Sequence, residues 1–377
     1  MSSKLFSPVD VGPVRLPNRI AVSPMCQYSA TNGEANDWHL MNLMQLGISD
    51  AGLIMLEATA IEPRARITHG CLGLYDDATE AALARVMASA RAVAPQGARW
   101  GIQLGHAGRK ASAQRPWEGR GALGENEQPW TTEAPSAIPF AADWHTPRAM
   151  TASDIARVRE HFVESARRAA RLGFDIVEIH AAHGYLLHQF LSPLANQRDD
   201  EYGGSLENRM RFALEVADAV AAALPGHVAL GFRITGSDWL PGGITVEEAA
   251  TLATALKARG VSYVCVTSGG VAHASIKVTP GYQVPLAEHV KAASGIVTRT
   301  VGMIVDPHQA EAIIAEGQAD IVAIGRAFLD DPRWVWHAAE RLDALDAIQY
   351  PPQYERAGAP HWRGAALLRP HEALSLA

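Results

Sequence analysis

Residues 174–212 read FDIVEIHAAHGYLLHQFLSPLANQRDDEYGGSLENRMRF. The run opens on Phe174–Ile179, apolar enough for a buried strand, and passes at once to His180, His183 and Tyr185. A polar, glycine-bearing loop is expected next, and then a helix from Ser205. In α/β folds the strand core is buried and the loop at its carboxyl end faces ligand. His180, His183 and Tyr185 are therefore the expected centre of a site.

The rest of the chain tells which fold carries that strand. The 377 residues are 48% hydrophobic and 19% charged, an ordinary globular composition with material for a large core. The net charge of −7 offers no basic footprint for nucleic acid. The first residues, MSSKLFSPVDVGP, lack the apolar core of a signal peptide, and no run approaches a membrane span. The expectation is a cytoplasmic protein. Cys26, Cys71 and Cys265 are scattered, with no CxxC pair, so neither a disulfide framework nor an iron–sulfur centre is expected.

Proline and glycine punctuate LFSPVDVGPVRLPNR at the spacing of a β-hairpin. Strand-like runs then begin near Ile20, Leu53, Trp100, Phe174, Val228, Tyr263, Ile296 and Asp320, each followed by a helical pattern. Thr151 with Asp154 and Thr245 with Glu248 read as helix caps, and Asp306-Pro307 as an N-cap followed by an N1 proline. The strands are apolar throughout, as parallel strands buried on both faces should be. Eight such units predict an α/β fold, a (β/α)8 TIM barrel with an N-terminal β-hairpin. The first strand-to-helix turn, SPMCQYS, lacks the GxGxxG of a doubly wound dinucleotide fold. Residues 111–149 break the rhythm, being rich in Gly, Pro and Trp. They are expected to form a capping excursion after the third strand.

In a barrel, the strand ends converge on one mouth. Here they carry hydrogen-bond donors, Arg233, and late glycines at Gly302 and Gly325 beside Arg326. Glycines after strands seven and eight suit a phosphate, because bare backbone can approach it and an arginine adds charge. Taken singly, they are also ordinary turn residues. The two histidines admit three readings. They could share a metal, although no third ligand is evident at a neighbouring strand end. They could be buried structural residues, or together they could hold one substrate oxygen. Tyr185, protonated at neutral pH, suits a general acid and could equally be a packing residue.

Five segments together resemble the old yellow enzymes, FMN-dependent ene-reductases on a (β/α)8 barrel. They are SPMCQYS at 23–29, QLGHAGRK at 103–110, HAAHGYLLHQFLSP at 180–193, NQRDDEYGGSLENRMRF at 196–212 and IGRAFLDDP at 324–332. Cys26 with Tyr28 resembles the bacterial thermophilic-like class, as does QYER at 353–356.

The resemblance implies one FMN-binding barrel domain over residues 1–377. It implies that the backbone of Ser23, Pro24, Met25, Cys26 and Ala60, with the side chains of Gln103 and Arg233, holds the isoalloxazine. Gly302, Met303, Gly325 and Arg326 would hold the phosphate, and no metal is implied. NADPH or NADH would reduce the flavin and leave. An electron-poor alkene would then bind through His180 and His183, take hydride from flavin N5 and take a proton from Tyr185. Tyr28 would close over the substrate. Arg356 would reach into a neighbouring subunit, which makes residues 345–377 an interface tail in a homodimer or homotetramer. The tail is longer than the class leads one to expect, so Trp362 or Arg363 could share the place of Arg356. A dienoyl-CoA or amine dehydrogenase relative would need a C-terminal cysteine cluster and a further nucleotide-binding domain; with no cysteine after Cys265 and few residues to follow, that relative is not expected. A barrel that binds flavin without turnover is the competing reading from another class.

Overall fold

The strands of the barrel are apolar on both faces because each face meets a different core. The computed structural model describes residues 3–362, 364 and 365. An antiparallel hairpin, β1 (Val9–Val11) and β2 (Val14–Leu16), precedes the barrel. Then come β3 (Ile20–Val22), α1 (Asp37–Gly47), β4 (Leu53–Ala60), α2 (Asp77–Val93) and β5 (Arg99–Gly105). Two short strands, β6 (Glu133–Ala134) and β7 (Arg148–Ala149), pair with each other outside the barrel. The alternation resumes with α3 (Ala152–Arg171), β8 (Ile176–Ala181), α4 (Leu186–Leu191), α5 (Leu206–Ala223), β9 (Ala229–Thr235) and α6 (Val246–Lys257). It closes with β10 (Tyr263–Thr267), α7 (Val284–Ser294), β11 (Val297–Thr300), α8 (Pro307–Ala315), β12 (Ile321–Ile324), α9 (Arg326–Asp330) and α10 (Trp334–Arg341).

Eight strands close in the order β10-β11-β12-β3-β4-β5-β8-β9, and every pairing in the ring is parallel. The fold is the expected (β/α)8 barrel. Side chains alternate across each strand. Val177 and Ile179 of β8 join the outer core, where Phe162 of α3 and Phe212 of α5 also lie. Ile176 points inward, into a second cluster with Leu53, Met55, Tyr263 and Ile321. The hairpin residues Val11, Val14 and Leu16 belong to that inner cluster and close the barrel floor. The caps form as expected. Asp154 N–H donates to Thr151 Oγ1 at 3.3 Å, Glu248 N–H to Thr245 Oγ1 at 3.3 Å, and His308 N–H to Asp306 Oδ1 at 2.7 Å. Each such cap is worth about 1 kcal/mol.

The structure differs from the sequence reading in three places. Strand β8 runs to Ala181, so His180 is a strand residue rather than the first loop residue. The stretch after Tyr185 is not all loop, because α4 occupies Leu186–Leu191 with every residue buried. A short helix enclosed on all sides has no polar face, so it leaves no helical period to read. Beyond β12 the chain forms two helices, α9 and α10. After α10, Tyr350 and Tyr354 pack their rings on Trp336 at 5.0 and 6.1 Å.

Residues 111–149 hold only the two short strands β6 and β7 and one 3-10 turn. An ion network ties this segment to the barrel. Arg157 of α3 donates to Glu62 Oε2 and to Glu133 Oε2, each at 2.6 Å, and Arg64 donates to Glu133 Oε1 at 2.9 Å. Arg148 also contacts Glu133. Glu62, His106 and Glu133 stand close enough together to share a cation, but three arginines already face the two carboxylates. Among the described residues, no helix is long and apolar enough to cross a membrane.

Candidate active site

A cavity of about 570 Å³ opens at the carboxyl ends of the barrel strands. It gathers Ser23, Pro24, Met25, Cys26 and Tyr28 after β3 with Gln103 of β5 and Arg233 of β9. His180, His183 and Tyr185 from β8 and its loop line it, as do Gly302, Met303, Gly325 and Arg326. Residues separated by up to three hundred positions in sequence thus share one wall.

Two expected residues lie elsewhere. Ala60 lines a small side cavity with His180 and Tyr185. Its N–H donates to Leu72 O at 2.8 Å and its carbonyl accepts from Leu74 N–H at 3.0 Å. The register of β4 shifts between Leu56 and Ala58, which brings Ala58 to the main cavity instead. Arg356 is exposed on a 3-10 turn in the tail and does not line the cavity of its own chain. Arg363 lies outside the described residues.

The histidine pair is held by a directional chain of hydrogen bonds. Ala182 N–H donates to His180 Nδ1 at 3.2 Å, so the proton of a neutral His180 sits on Nε2. That Nε2 lies 3.4 Å from His183 Nδ1. His183 Nε2 in turn lies 2.9 Å from Thr267 Oγ1. Burial first, then the charge of Arg233, holds both imidazoles well below their ordinary pKa, so both are neutral. Gln283 Nε2 donates to Val301 O at 3.2 Å, which turns its Oε1 toward the hydroxyls of Thr267 at 3.0 Å and Ser268 at 2.7 Å.

Ser268 alone satisfies that oxygen. The Thr267 hydroxyl can therefore point either to Gln283 or to His183 Nε2. In the second state His183 carries its proton on Nδ1. Two N–H groups then face a common point, from atoms 3.4 Å apart, and one ligand oxygen can accept from both.

His183 adopts a left-handed backbone, with φ of 58°. Lys110 Nζ donates to its carbonyl at 2.8 Å and to Gly270 O at 3.0 Å, which secures the turn. Glycine is required where this loop crosses the next. A Cβ on Gly184 would fall 2.0 Å from Gly270 O. Gly184 N–H donates to His188 Nδ1 at 2.7 Å, and His188 Nε2 lies 3.0 Å from Asp238 Oδ1 inside the fold.

The ring of Tyr185 stands edge-on to His180, with centroids 4.9 Å apart. Burial pushes its phenol well above the ordinary value, so it stays protonated. Lys110 Nζ lies over the same ring at 5.2 Å and over Phe140 of the excursion at 4.6 Å. Burial also pushes up the Cys26 thiol and the Tyr28 phenol. Tyr28 is left-handed, with φ of 52°, and its carbonyl accepts from Arg115 Nε at 3.0 Å. Trp117 of the excursion meets the Tyr28 ring at 6.0 Å.

Next to His180 across the β8–β9 pairing, Arg233 Nε is buried with no hydrogen-bond partner among the described residues. Such an orphan is costly unless a ligand meets it. In the same cavity Gln103 contributes an amide, and Arg326 supplies a second guanidinium at the Gly302 and Gly325 end. An elongated ligand with a polar heteroaromatic edge at one end and an anion at the other fits this donor set.

Residues 4–344 match the model of the NADH:flavin oxidoreductase / NADH oxidase family. The chain belongs to this family, the old yellow enzymes. It is 43% identical to an NADPH dehydrogenase of Geobacillus thermodenitrificans, covering 94% of this chain and 99% of that one. It is 40% identical to the NADPH dehydrogenase of Bacillus subtilis over the same shares. Among solved structures, morphinone reductase in complex with tetrahydroNAD superimposes with a TM-score of 0.74 at 31% identity, covering 92% of both chains. As an old yellow enzyme, the chain is a flavoprotein oxidoreductase, and its cofactor is FMN. The unpartnered Arg233 and the paired glycines with Arg326 are the features of this chain that fit that group.

Sequence reasoning missed Thr267, Gln283 and Lys110. Thr267 and Gln283 line the cavity yet carry no motif of their own. Lys110 sits at the end of QLGHAGRK, where its position alone gives no hint that it reaches His183.

Proposed function

We propose that this old yellow enzyme reduces the C=C bond of electron-poor alkenes, such as α,β-unsaturated carbonyls, maleimides and nitroalkenes, with NADPH or NADH as reductant. The choice of NADPH first follows its relatives, which are named NADPH dehydrogenases. The observation that carries the reading is the pair of facing imidazole nitrogens, His180 Nε2 and His183 Nδ1, beside a protonated Tyr185.

Bound FMN supplies the hydride-carrying chemistry between the nicotinamide and the alkene. The residues of the chain do the rest. His180 and His183 donate to the carbonyl or nitro oxygen and draw electron density from the double bond. Their neutrality suits this, since a neutral N–H polarises an oxygen without surrendering its proton. Tyr185 delivers the proton to the α-carbon. Tyr28 closes one side of the substrate space, and Cys26 presents a neutral thiol as a weak donor. Gln103 and Arg233 hold the polar edge of the isoalloxazine, and Arg233 stabilises negative charge gathering there. The backbone of Ser23, Pro24, Met25 and Cys26 lines the same ring, with Ala58 in the place assigned to Ala60. Gly302, Met303, Gly325 and Arg326 hold the phosphate.

The whole chain acts as one barrel domain, with residues 111–149 as a cap over the mouth. The cap reading rests on Trp117 against Tyr28 and on Phe140 against Lys110. The exposed Arg356 suits a homodimer or homotetramer in which the tail, residues 345–377, serves a neighbour's site. The cytoplasm is the proposed location.

The test is direct. Purified protein should be yellow and release FMN on denaturation. It should oxidise NADPH when cyclohexenone or maleimide is added. Bound FMN with no turnover of any activated alkene would overturn the reading in favour of a binding module.

A further inference from the structure

Glu178 of β8 and Arg299 of β11 form an ion pair enclosed in the middle of the barrel, both side chains at 0% exposure. Enclosing two charges has a desolvation cost that their attraction seldom exceeds, and apolar replacements of similar volume are often as stable or more so. Stability alone therefore does not account for the pair. Its hydrogen bonds lead toward the cavity. Tyr263 Oη donates to Glu178 Oε2 at 2.6 Å, and Arg299 Nη2 contacts the same oxygen. Gln103 Nε2 donates to the other oxygen, Oε1, at 2.7 Å. Of these four residues, Gln103 lines the cavity, which the unpartnered Arg233 also lines.

An ionised carboxylate accepts hydrogen bonds and donates none. It admits the NH2 of a glutamine and repels the amide oxygen. The two ends of a glutamine amide are nearly identical in shape, so without such a neighbour Gln103 could turn either way. We propose that Glu178, whose oxygens accept from Arg299, Tyr263 and Gln103, is a positioning residue that locks the Gln103 amide with its oxygen toward the cavity. This rests on the placing of the isoalloxazine edge at Gln103 and Arg233 given above. The wall then offers one acceptor from Gln103 and one cationic donor from Arg233. It selects a ligand edge bearing an N–H next to a carbonyl, which is the N3–H and C2 carbonyl of the flavin imide. Gly231 makes the arrangement possible, since a Cβ there would lie 2.0 Å from the Tyr263 ring.

Replacing Glu178 by glutamine turns the chain of donors around. Arg299 and Tyr263 still donate to one atom, which must be the new amide oxygen. The new NH2 therefore faces Gln103, and Gln103 must present its oxygen inward and its NH2 to the cavity. The test compares FMN with 3-methyl-FMN, which lacks the N3–H. Full-length holoprotein is equilibrated with a mixture of the two flavins, and the bound ratio is read after denaturation.

Wild type should prefer FMN, and Glu178→Gln should reduce that preference at least tenfold. A merely loosened pocket would weaken both flavins alike and leave the ratio unchanged. If Glu178→Gln does not fold, the double variant Glu178→Leu/Arg299→Met removes both charges, frees the amide to turn, and should reduce the preference at least threefold. A wild-type ratio in whichever variant folds overturns the role of Glu178. No preference in wild type overturns the placing of the flavin edge at Gln103, and the role of Glu178 with it.

Discussion

The Nε2 atom of His183 lies 2.9 Å from the hydroxyl oxygen of Thr267, on a strand two places further round the barrel. The direction of the Thr267 hydroxyl, to Gln283 or to His183, sets which nitrogen of His183 carries the proton. When Thr267 donates to Nε2, the proton sits on Nδ1, where it can join His180 Nε2 on a ligand oxygen. Thr267→Val removes the donor at nearly constant volume. Phenol, used as an oxygen ligand of the pair, should bind about tenfold more weakly, the loss of roughly one hydrogen bond. Thr267→Ser should restore most of the affinity. Spectrophotometric titration of the flavin checks both, and equal affinities for valine and serine variants would rule out the contact as the determinant.

Tyr185→Phe removes the phenolic proton and keeps the ring that packs at 4.9 Å from His180. Stopped-flow measurement should find reduction of the bound flavin by NADPH largely unchanged. Reduction of cyclohexenone should slow by about 100-fold or more, the usual worth of a positioned general acid. An equal loss in both half-reactions contradicts a proton-donor role.

Lys110 links Phe140 of the 111–149 segment to the histidine turn, and its titration leaves a mark on stability. Burial, then the charge of Arg109, pushes its pKa down to about 8. In the unfolded chain the value is about 10.4. Between the two, the unfolded chain holds a proton that the folded protein has released, so stability rises with pH across this window. Below about 8 the cost of the buried charge is fully present. Urea unfolding of wild type and Lys110→Met at pH 7 and pH 10 should differ accordingly. Wild type should gain about 2–3 kcal/mol relative to the variant as the pH rises. A difference independent of pH would show that Lys110 is not a buried cation.

Gly231→Ala places a methyl group into the Tyr263 ring, at 2.0 Å by the backbone geometry. The inner core is close-packed, so the ring must move away from Glu178. The expected cost is about 2 kcal/mol, measured by urea unfolding, together with weaker FMN binding. A variant as stable as wild type would mean that the barrel interior is looser than its packing indicates.

Much of this protein is legible without coordinates, and the reasons are local. The hairpin, the eight strands and the caps at Thr151, Thr245 and Asp306 depend on a few neighbouring residues each. His180, His183 and Tyr185 could be picked out because they sit together at the end of one apolar run. Glu178 lies in that same run and gave no signal. Its partners Gln103 and Arg299 stand 75 and 121 positions away. The displacement of Ala60 from the main cavity depends on an irregularity between Leu56 and Ala58 that no side-chain pattern announces.

The sequence by itself therefore determined the barrel, its order of elements and the family to which the chain belongs, because periodicity and motifs are properties of short stretches. Only closure of the ring decided which nitrogen of His183 faces Thr267, which atom of Gln103 faces the cavity, and where Lys110 ends. Those are matters of hydrogen-bond direction between distant strands, and direction exists only once the strands have met.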